Sequence, residues 1–276
     1  QRKNKPNIAF ALSRRGFWLG AAALLLFRCL LVHFQQAYTW VGGAPLDDEL
    51  LFRAANAITN GQWLGAYDYL TLSKSMFFAV WLSLLHALRI NYLLGGVLLW
   101  CGAALVAAFA LAPLWQKLAP AKSRAVTLLL FAVLAFSPSS YAAYTLRVYR
   151  DNIFPALCLL CFAGLAGAVL RAVQPPANAQ KKPAALWPWL LAAGAGLACG
   201  YLNREDAGLF LLPFAVLATA GMLVLLARQK RWLCMAAQAL PYALLAAGVL
   251  AFCTLNYTHY GVFTLSDFSA GSFADA

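Results

Sequence analysis

An all-helical polytopic membrane protein is the fold class this sequence predicts, with about seven crossings and amphipathic helices in one long loop. Three observations lead there. Of 276 residues, 63% are hydrophobic and only 11% charged, well below the roughly 25% charged residues of a water-soluble domain. The apolar residues fall into runs near the roughly 20 residues a helix needs to cross a bilayer. The formal net charge of +12 lies in short basic runs between those segments, which is how topology signals are written; no nucleic-acid partner is expected.

The first apolar run, 16–35, is too long and too heavily flanked for a cleaved signal peptide and lacks a small-residue cleavage site, so it reads as a retained anchor. A long loop, 36–91, follows. Within it, Pro45 precedes Asp47, the apolar positions Leu51, Ala54, Ala55 and Ile58 recur at helical spacing, and Asn60-Gly61 supplies a stop, which predicts a surface-lying amphipathic helix. The run 76–90 reaches only about 22 Å at about 1.5 Å per residue, short of a hydrocarbon core of about 30 Å. Ser83, His86 and Arg89 place one polar stripe along it, so it is expected to lie flat in the interface. The runs 92–114, 125–146, 153–171, 187–203, 207–227 and 233–255 each approach spanning length and complete the set.

Charge orients this arrangement. With 76–90 lying flat, one side receives Arg2, Lys3, Lys5, Arg14 and Arg15, then Lys117, Lys122 and Arg124, then Arg171, Lys181 and Lys182, then Arg228, Lys230 and Arg231, and no acid. All nine acidic residues go to the other side. The basic side is cytoplasmic by the positive-inside rule, and a spanning 76–90 would invert the later basic loops. The chain is one module, 1–276, in a multi-pass cell-membrane protein. It starts at Gln1 and stops in a polar stretch, so a natural C-terminal part is expected to be missing.

The outer side then collects ionisable residues at membrane ends from four stretches: Asp47-Asp48-Glu49, Lys74, Arg147-Arg150-Asp151 and Arg204-Glu205-Asp206. Such groups are costly at that depth and mark sites. Each also has a plain structural reading. Asp47 suits a helix N-cap, with Asp48 and Glu49 favoured by the helix dipole; against this, a cap needs one acid, and a surplus carboxylate could serve as general base or cation ligand. In "LRVYRDNIFPAL", helical spacing would put Arg147, Arg150 and Asp151 on one face, either as an Arg snorkelling with an Asp partner or as a guanidinium fork for phosphate. Arg204, Glu205 and Asp206 read as a hydrated turn or a third charged station. The neighbouring run carries Gly194, Gly196 and Gly200, which permit close helix contact beneath that turn.

The seven cysteines lie within apolar runs, where a thiol packs as a small hydrophobe. Cys158-x-x-Cys161 lacks a second pair or nearby His, and packing is the reading there. His33, His86 and His259 have no ligand spacing. The aromatic load, including Trp40, Trp63, Trp81 and Trp100, suits interfacial belts.

Taken in order, "DDELLFRAANAITNGQWLGAYDYLTLSKS", "RVYRDNIFPAL" and "NREDAGLFLLP" resemble the polytopic GT-C glycosyltransferases, nearest to the bacterial protein-mannosyltransferase-like members of family 39. The likeness runs from about residue 16 to 265. It implies a GT-C-like catalytic module that moves a sugar from a polyprenyl-phosphate donor to a protein, lipid or cell-envelope acceptor outside the cytoplasm. By position, Asp47 and Asp48 match the first-loop acidic motif that supplies the catalytic base, with Asp48 favoured and the choice left open. Arg147, Arg150 and Asp151 match the second charged station and Arg204-Glu205 the third, as substrate-binding groups. Lys74 stands where relatives have the basic residue of "LxK", although "KS" replaces "KGP". The family varies in metal use; no metal is assigned, and a divalent cation stays open. A membrane transporter or flippase is the alternative, for which midplane charges on interrupted helices and inverted repeats are the expected marks. A non-catalytic membrane partner, or a polymerase or ligase of surface polysaccharides, is the third reading.

Overall fold

The computed structural model describes residues 12–39, 46–174 and 185–267, and among these the only extended pairing is an isolated bridge between Tyr38 and Arg147. Eleven α-helices follow in order: α1 Arg14–Val32, α2 Leu46–Thr59, α3 Phe77–Ala87, α4 Tyr92–Ala110, α5 Pro120–Ala135, α6 Ala143–Leu146, α7 Phe154–Val173, α8 Trp187–Asn203, α9 Ala207–Arg228, α10 Trp232–Ala237 and α11 Leu240–Tyr260. Among the described residues, five stretches are long and apolar enough to cross a membrane: α1, α4, Arg150–Val173, α9 and Trp232–Tyr260. The segments Pro120–Ala135 and Pro138–Leu146 make a sixth if counted together, bent by 52°. Helix α8 has 17 residues, about 25 Å of rise, and packs between α7 and α11.

The continuous third run expected over 125–146 is therefore corrected. Proline disfavours helical backbone at the residue before it, and Ser137, ahead of Pro138, is extended at φ −63° and ψ 138°. The carbonyls freed by the break are bonded again: Ser140 Oγ donates to the Ser137 carbonyl at 2.8 Å, and Arg28, reaching across from α1, donates to the Ser140 carbonyl at 2.8 Å. Arg28 is 1% exposed, so a charged residue inside an apolar helix is explained by the backbone it serves.

Helix α2 forms as its spacing predicts, burying Leu51, Ala54 and Ala55 against α3 and ending before Gly61, whose φ of 77° suits glycine. It begins at Leu46, so Asp47 is not an N-cap; Asp47, Asp48 and Glu49 all lie in the first turn, where the dipole favours acids. Helix α3 is 11 residues long, about 16 Å, too short to cross. Its end is closed by Ile90 N–H on the Leu85 carbonyl and Arg89 N–H on the His86 carbonyl, with Arg89 at φ 54°, the left-handed stop usually given to glycine.

Helix α7 is the centre of the bundle, in contact with α4, α8 and α9. Between apolar helices in lipid, packing rather than water exclusion drives association, and small residues let backbones approach. Gly164 of α7 and Gly196 of α8 do this: a Cβ at Gly164 would stand 2.3 Å from Ala193 N, and one at Gly196 would stand 2.4 Å from Cys161 N. Cys161 is fully buried in that contact, while Leu19, Leu26, Leu209 and Leu217 stay on the outer surface as a bilayer-facing side requires. The alternation of the helices sends every described acid to one end, with the starts of α2, α7 and α9. Arg14, Arg15, Lys117, Lys122, Arg124, Arg171, Arg228, Lys230 and Arg231 go to the other. Arg2, Lys3, Lys5, Trp40, Lys181 and Lys182 lie outside the described residues.

Candidate functional site

At the acidic end the chain leaves α6 in extended form. Tyr38 N–H donates to the Leu146 carbonyl at 3.1 Å and Val148 N–H donates to the Tyr38 carbonyl at 2.8 Å, which holds Arg147 at ψ 137°. Alternate residues of an extended segment share a side, so Arg147 and Tyr149 come together, the guanidinium 4.4 Å from the ring centre. The expectation that Arg147, Arg150 and Asp151 share a helical face is overturned, because helix resumes only beyond the single turn at Arg150–Asn152. Each of the three takes a different partner.

Arg147 forks onto Asp48, with Nε 3.0 Å from Oδ2 and the second nitrogen on Oδ1. Asp48 is 4% exposed. Arg150, 5% exposed, gives one nitrogen to Glu205 at 2.9 and 2.7 Å and the other to the Tyr149 hydroxyl at 3.0 Å. Asp151 pairs with Arg204, not with Arg147, and Arg204 also forks onto Asp206 at 2.9 Å twice. The Tyr149 hydroxyl in turn donates to Asp47 Oδ2 at 3.0 Å, and the same oxygen faces Lys74 Nζ at 3.5 Å. Ser75 N–H donates to Glu205 at 2.6 Å, so adjacent residues of the 74–75 turn tie Asp47 and Glu205 into one network.

Every site residue read from the sequence, Asp47, Asp48, Lys74, Arg147, Arg150, Asp151, Arg204 and Glu205, thus takes part in an ion pair at this end: Tyr149 links the pairs of Lys74, Arg147 and Arg150, and the Asp151–Arg204–Asp206 group is carried by the residues next in sequence to Arg150 and Glu205. Four residues that sequence reasoning passed over complete the site. Tyr149 is the hub between Arg147, Arg150 and Asp47. Tyr92, whose hydroxyl donates to the Arg147 carbonyl, braces the extended segment. Ser75 orients Glu205. Asn203, fully buried, donates to the Arg150 carbonyl at 3.2 Å. The available signal was the alternation of Arg147 and Tyr149 in "RVYRD", which fits a strand-like link better than a helix.

The network is layered. Asp48 and Arg150 are enclosed, whereas the side chains of Lys74, Asp151 and Arg204 are each 29% exposed and those of Asp47 and Glu205 are 38% exposed. The enclosed pair fixes the frame and the open set faces any ligand. Beside it lie two cavities that share Tyr92 as a wall, one of about 430 Å³ reaching Cys29, His33 and Asn91 and one of about 280 Å³ between α2 and α3 reaching Phe52, Asn56 and His86. Among the described residues, no cluster of three or more His, Cys, Asp or Glu is placed to hold a metal ion.

Burial alone would raise the Glu205 carboxyl, but the Arg150 charge and the Ser75 N–H outweigh it and hold the group below its usual value. The Arg204 fork does the same for Asp206, against a smaller opposing push from burial. A carboxyl depressed in the folded state contributes stability above its unfolded pKa, about 4.3 for Glu and 3.9 for Asp, and that contribution is lost as pH falls through the folded value. The melting temperature of the purified protein is accordingly expected to be insensitive to these groups between about pH 8 and 5 and to fall below about pH 4. Glu205→Gln should flatten part of the acid limb in a thermal scan across pH; an unchanged limb would count against the Arg150–Glu205 pair.

No family model, no curated protein and no solved structure matches this chain.

Proposed function

We propose that this chain is a membrane glycosyltransferase that moves a sugar from a polyprenyl-phosphate-linked donor to an acceptor on the extracytoplasmic face. The observation that carries the reading is the convergence of four separated stretches, joined one to the next by ion pairs, at the acidic end of the bundle. Transfer of a glycosyl group builds positive charge at the sugar and negative charge on the departing phosphate, so it asks for preorganised cations beside a carboxylate able to take the acceptor's proton. Lys74 and Arg204, open at the rim, are the groups to meet the phosphate, with Asp151 and Asp206 releasing Arg204 in exchange. Arg150 and Asp48 are positioning residues that hold the rim from behind.

The choice of base, left between Asp47 and Asp48 with Asp48 favoured, shifts to Asp47 in this proposal. Both oxygens of Asp48 are engaged by Arg147 in a buried fork, whereas Asp47 is more open and sits beside Lys74. The resemblance to GT-C enzymes supplies the donor class. The topology it implies makes α8 a seventh crossing, with the bent α5–α6 pair as the third. With the basic end in the cytoplasm, a cysteine replacing Tyr69, which is 86% exposed, should react with a membrane-impermeant reagent on intact cells, and one replacing Lys117 should react only after lysis.

The test of function is turnover of lipid-linked sugars in proteoliposomes, with mass spectrometry of copurified lipid to choose the donor. Asp47→Asn is expected to lower turnover by at least about 100-fold while leaving the copurified lipid in place. A variant that keeps more than a tenth of its activity would remove Asp47 from the role of base. A transporter is the second reading, favoured by the broken third segment, since interrupted helices are a mark of transport sites. Movement of labelled lipid across the bilayer without any change in its sugar would establish that reading over the first.

A further inference from the structure

The opposite, basic end of the bundle holds a chamber that the proposed reaction does not use. A cavity of about 360 Å³ opens between the start of α1, the end of α4 and the start of α5, with Arg14, Arg124 and Ser123 on its polar wall and Phe17, Trp18 and Phe109 on the other. The aromatic wall is packed, with ring centres 5.5 Å apart for Phe17 and Phe109 and 5.9 Å for Trp18 and Phe109. Arg124 Nε donates to the Leu12 carbonyl at 2.7 Å, which anchors that guanidinium at the cavity edge. Trp18 is also a wall of a second cavity, about 280 Å³, whose other lining residues, Ala21, Leu25, Gly102, Leu105 and Phe131 among them, are apolar. From Trp18 to Leu25 this groove follows α1 for about 10 Å toward the middle of the bundle.

A cationic chamber at a membrane edge that continues into an apolar groove between helices has the shape and polarity of a lipid site. The charge selects the headgroup. Every acid among the described residues is at the other end of the molecule, so no carboxylate here would pair with the ammonium of a zwitterionic headgroup; Arg14 and Arg124 in the same cavity oppose a cation against the aromatic wall, and exposed Lys122 adds to the positive field. We propose that these two cavities together form a site for one anionic phospholipid, its phosphodiester between Arg14 and Arg124 and an acyl chain in the groove beside Gly102.

Native mass spectrometry of the delipidated full chain, with equimolar phosphatidylglycerol and phosphatidylcholine of identical acyl chains, tests the site. The phosphatidylglycerol adduct is expected to exceed the other by roughly tenfold or more, given the attraction of two basic residues for an anionic headgroup. In Arg14→Gln/Arg124→Gln the preference should fall to within about twofold. Gly102→Leu is the independent variant: a Cβ there meets no atom within 4 Å, so the change is tolerated while its side chain fills the groove, and it should weaken the phosphatidylglycerol adduct about fivefold. Glycerophosphoglycerol, which has the headgroup and no acyl chains, should not displace the lipid at equal concentration. Equal adducts of the two lipids on the unmodified chain, an adduct unchanged by Gly102→Leu, or displacement by the chainless headgroup would each overturn the proposal.

Discussion

Arg147→Ala is expected to cost about 3–5 kcal/mol of folding free energy, because it strips the cation from a carboxylate that the fold keeps out of water. Asp48 is 4% exposed and Arg147 binds it through two nitrogens. Removing the acid instead is gentler. In Asp48→Asn the Arg147 side chain, 27% exposed, can turn toward water, and the loss is limited to charge-assisted hydrogen bonds worth about 1.5–3 kcal/mol. Combining Asp48→Asn with Arg147→Ala should therefore cost less than the sum of the two, with a coupling of about 1–3 kcal/mol. Unfolding in mixed micelles measures all three variants. Two small, additive losses would mean that the pair is solvated and that Asp48 is not fixed as the frame of the site, which would return it to contention as the base.

The sidedness of that frame was legible in the sequence; its wiring was not. Basic and acidic residues alternate between loops, so the convergence of Asp47, Lys74, Arg150 and Glu205 on one end follows from helix alternation alone. Helix α2 was legible for a related reason, since Leu51, Ala54 and Ala55 repeat at helical spacing and Gly61 ends the run. Which arginine meets which acid depends on backbone conformation over three residues, Arg147, Val148 and Tyr149, and that segment is extended because Tyr38, more than a hundred positions earlier, bonds to it. A long-range bond of this kind leaves no periodic trace. The bend after α5 did leave one, in Ser137-Pro138, but hydropathy averages over such a pair because Phe136 and Tyr141 keep the run apolar on either side. Arg28 is the same lesson from the other direction, a charge whose reason is a carbonyl exposed by that bend.

Gly196→Val is expected, like Gly164→Val in the same contact, to be among the most disruptive single changes outside the charged end, and it also tests how the site is held. A Cβ at Gly196 would lie 2.4 Å from Cys161 N and 2.6 Å from the Leu157 carbonyl oxygen. Both are backbone atoms of α7 and cannot rotate away, so α7 and α8 must part by about 1 Å or more to reach ordinary contact. Gly196→Ala should already lose about 1–3 kcal/mol, the usual cost of overpacking, and the larger valine more. The displacement reaches the site because α7 begins just beyond Arg150 and Asp151, while α8 ends at Asn203 beside Arg204 and Glu205. The bonds Arg150 to Glu205 and Asn203 to Arg150 span that gap. Turnover should therefore fall in Gly196→Ala at temperatures where the protein is still folded. Gly221→Ala in α9, where a Cβ meets nothing within 4 Å, is the matched control and should leave turnover unchanged and stability equal or higher by up to about 1 kcal/mol. If Gly196→Ala behaves like that control, the backbones of α7 and α8 are not in contact, and the charged stations they carry are not held together by the packing beneath them.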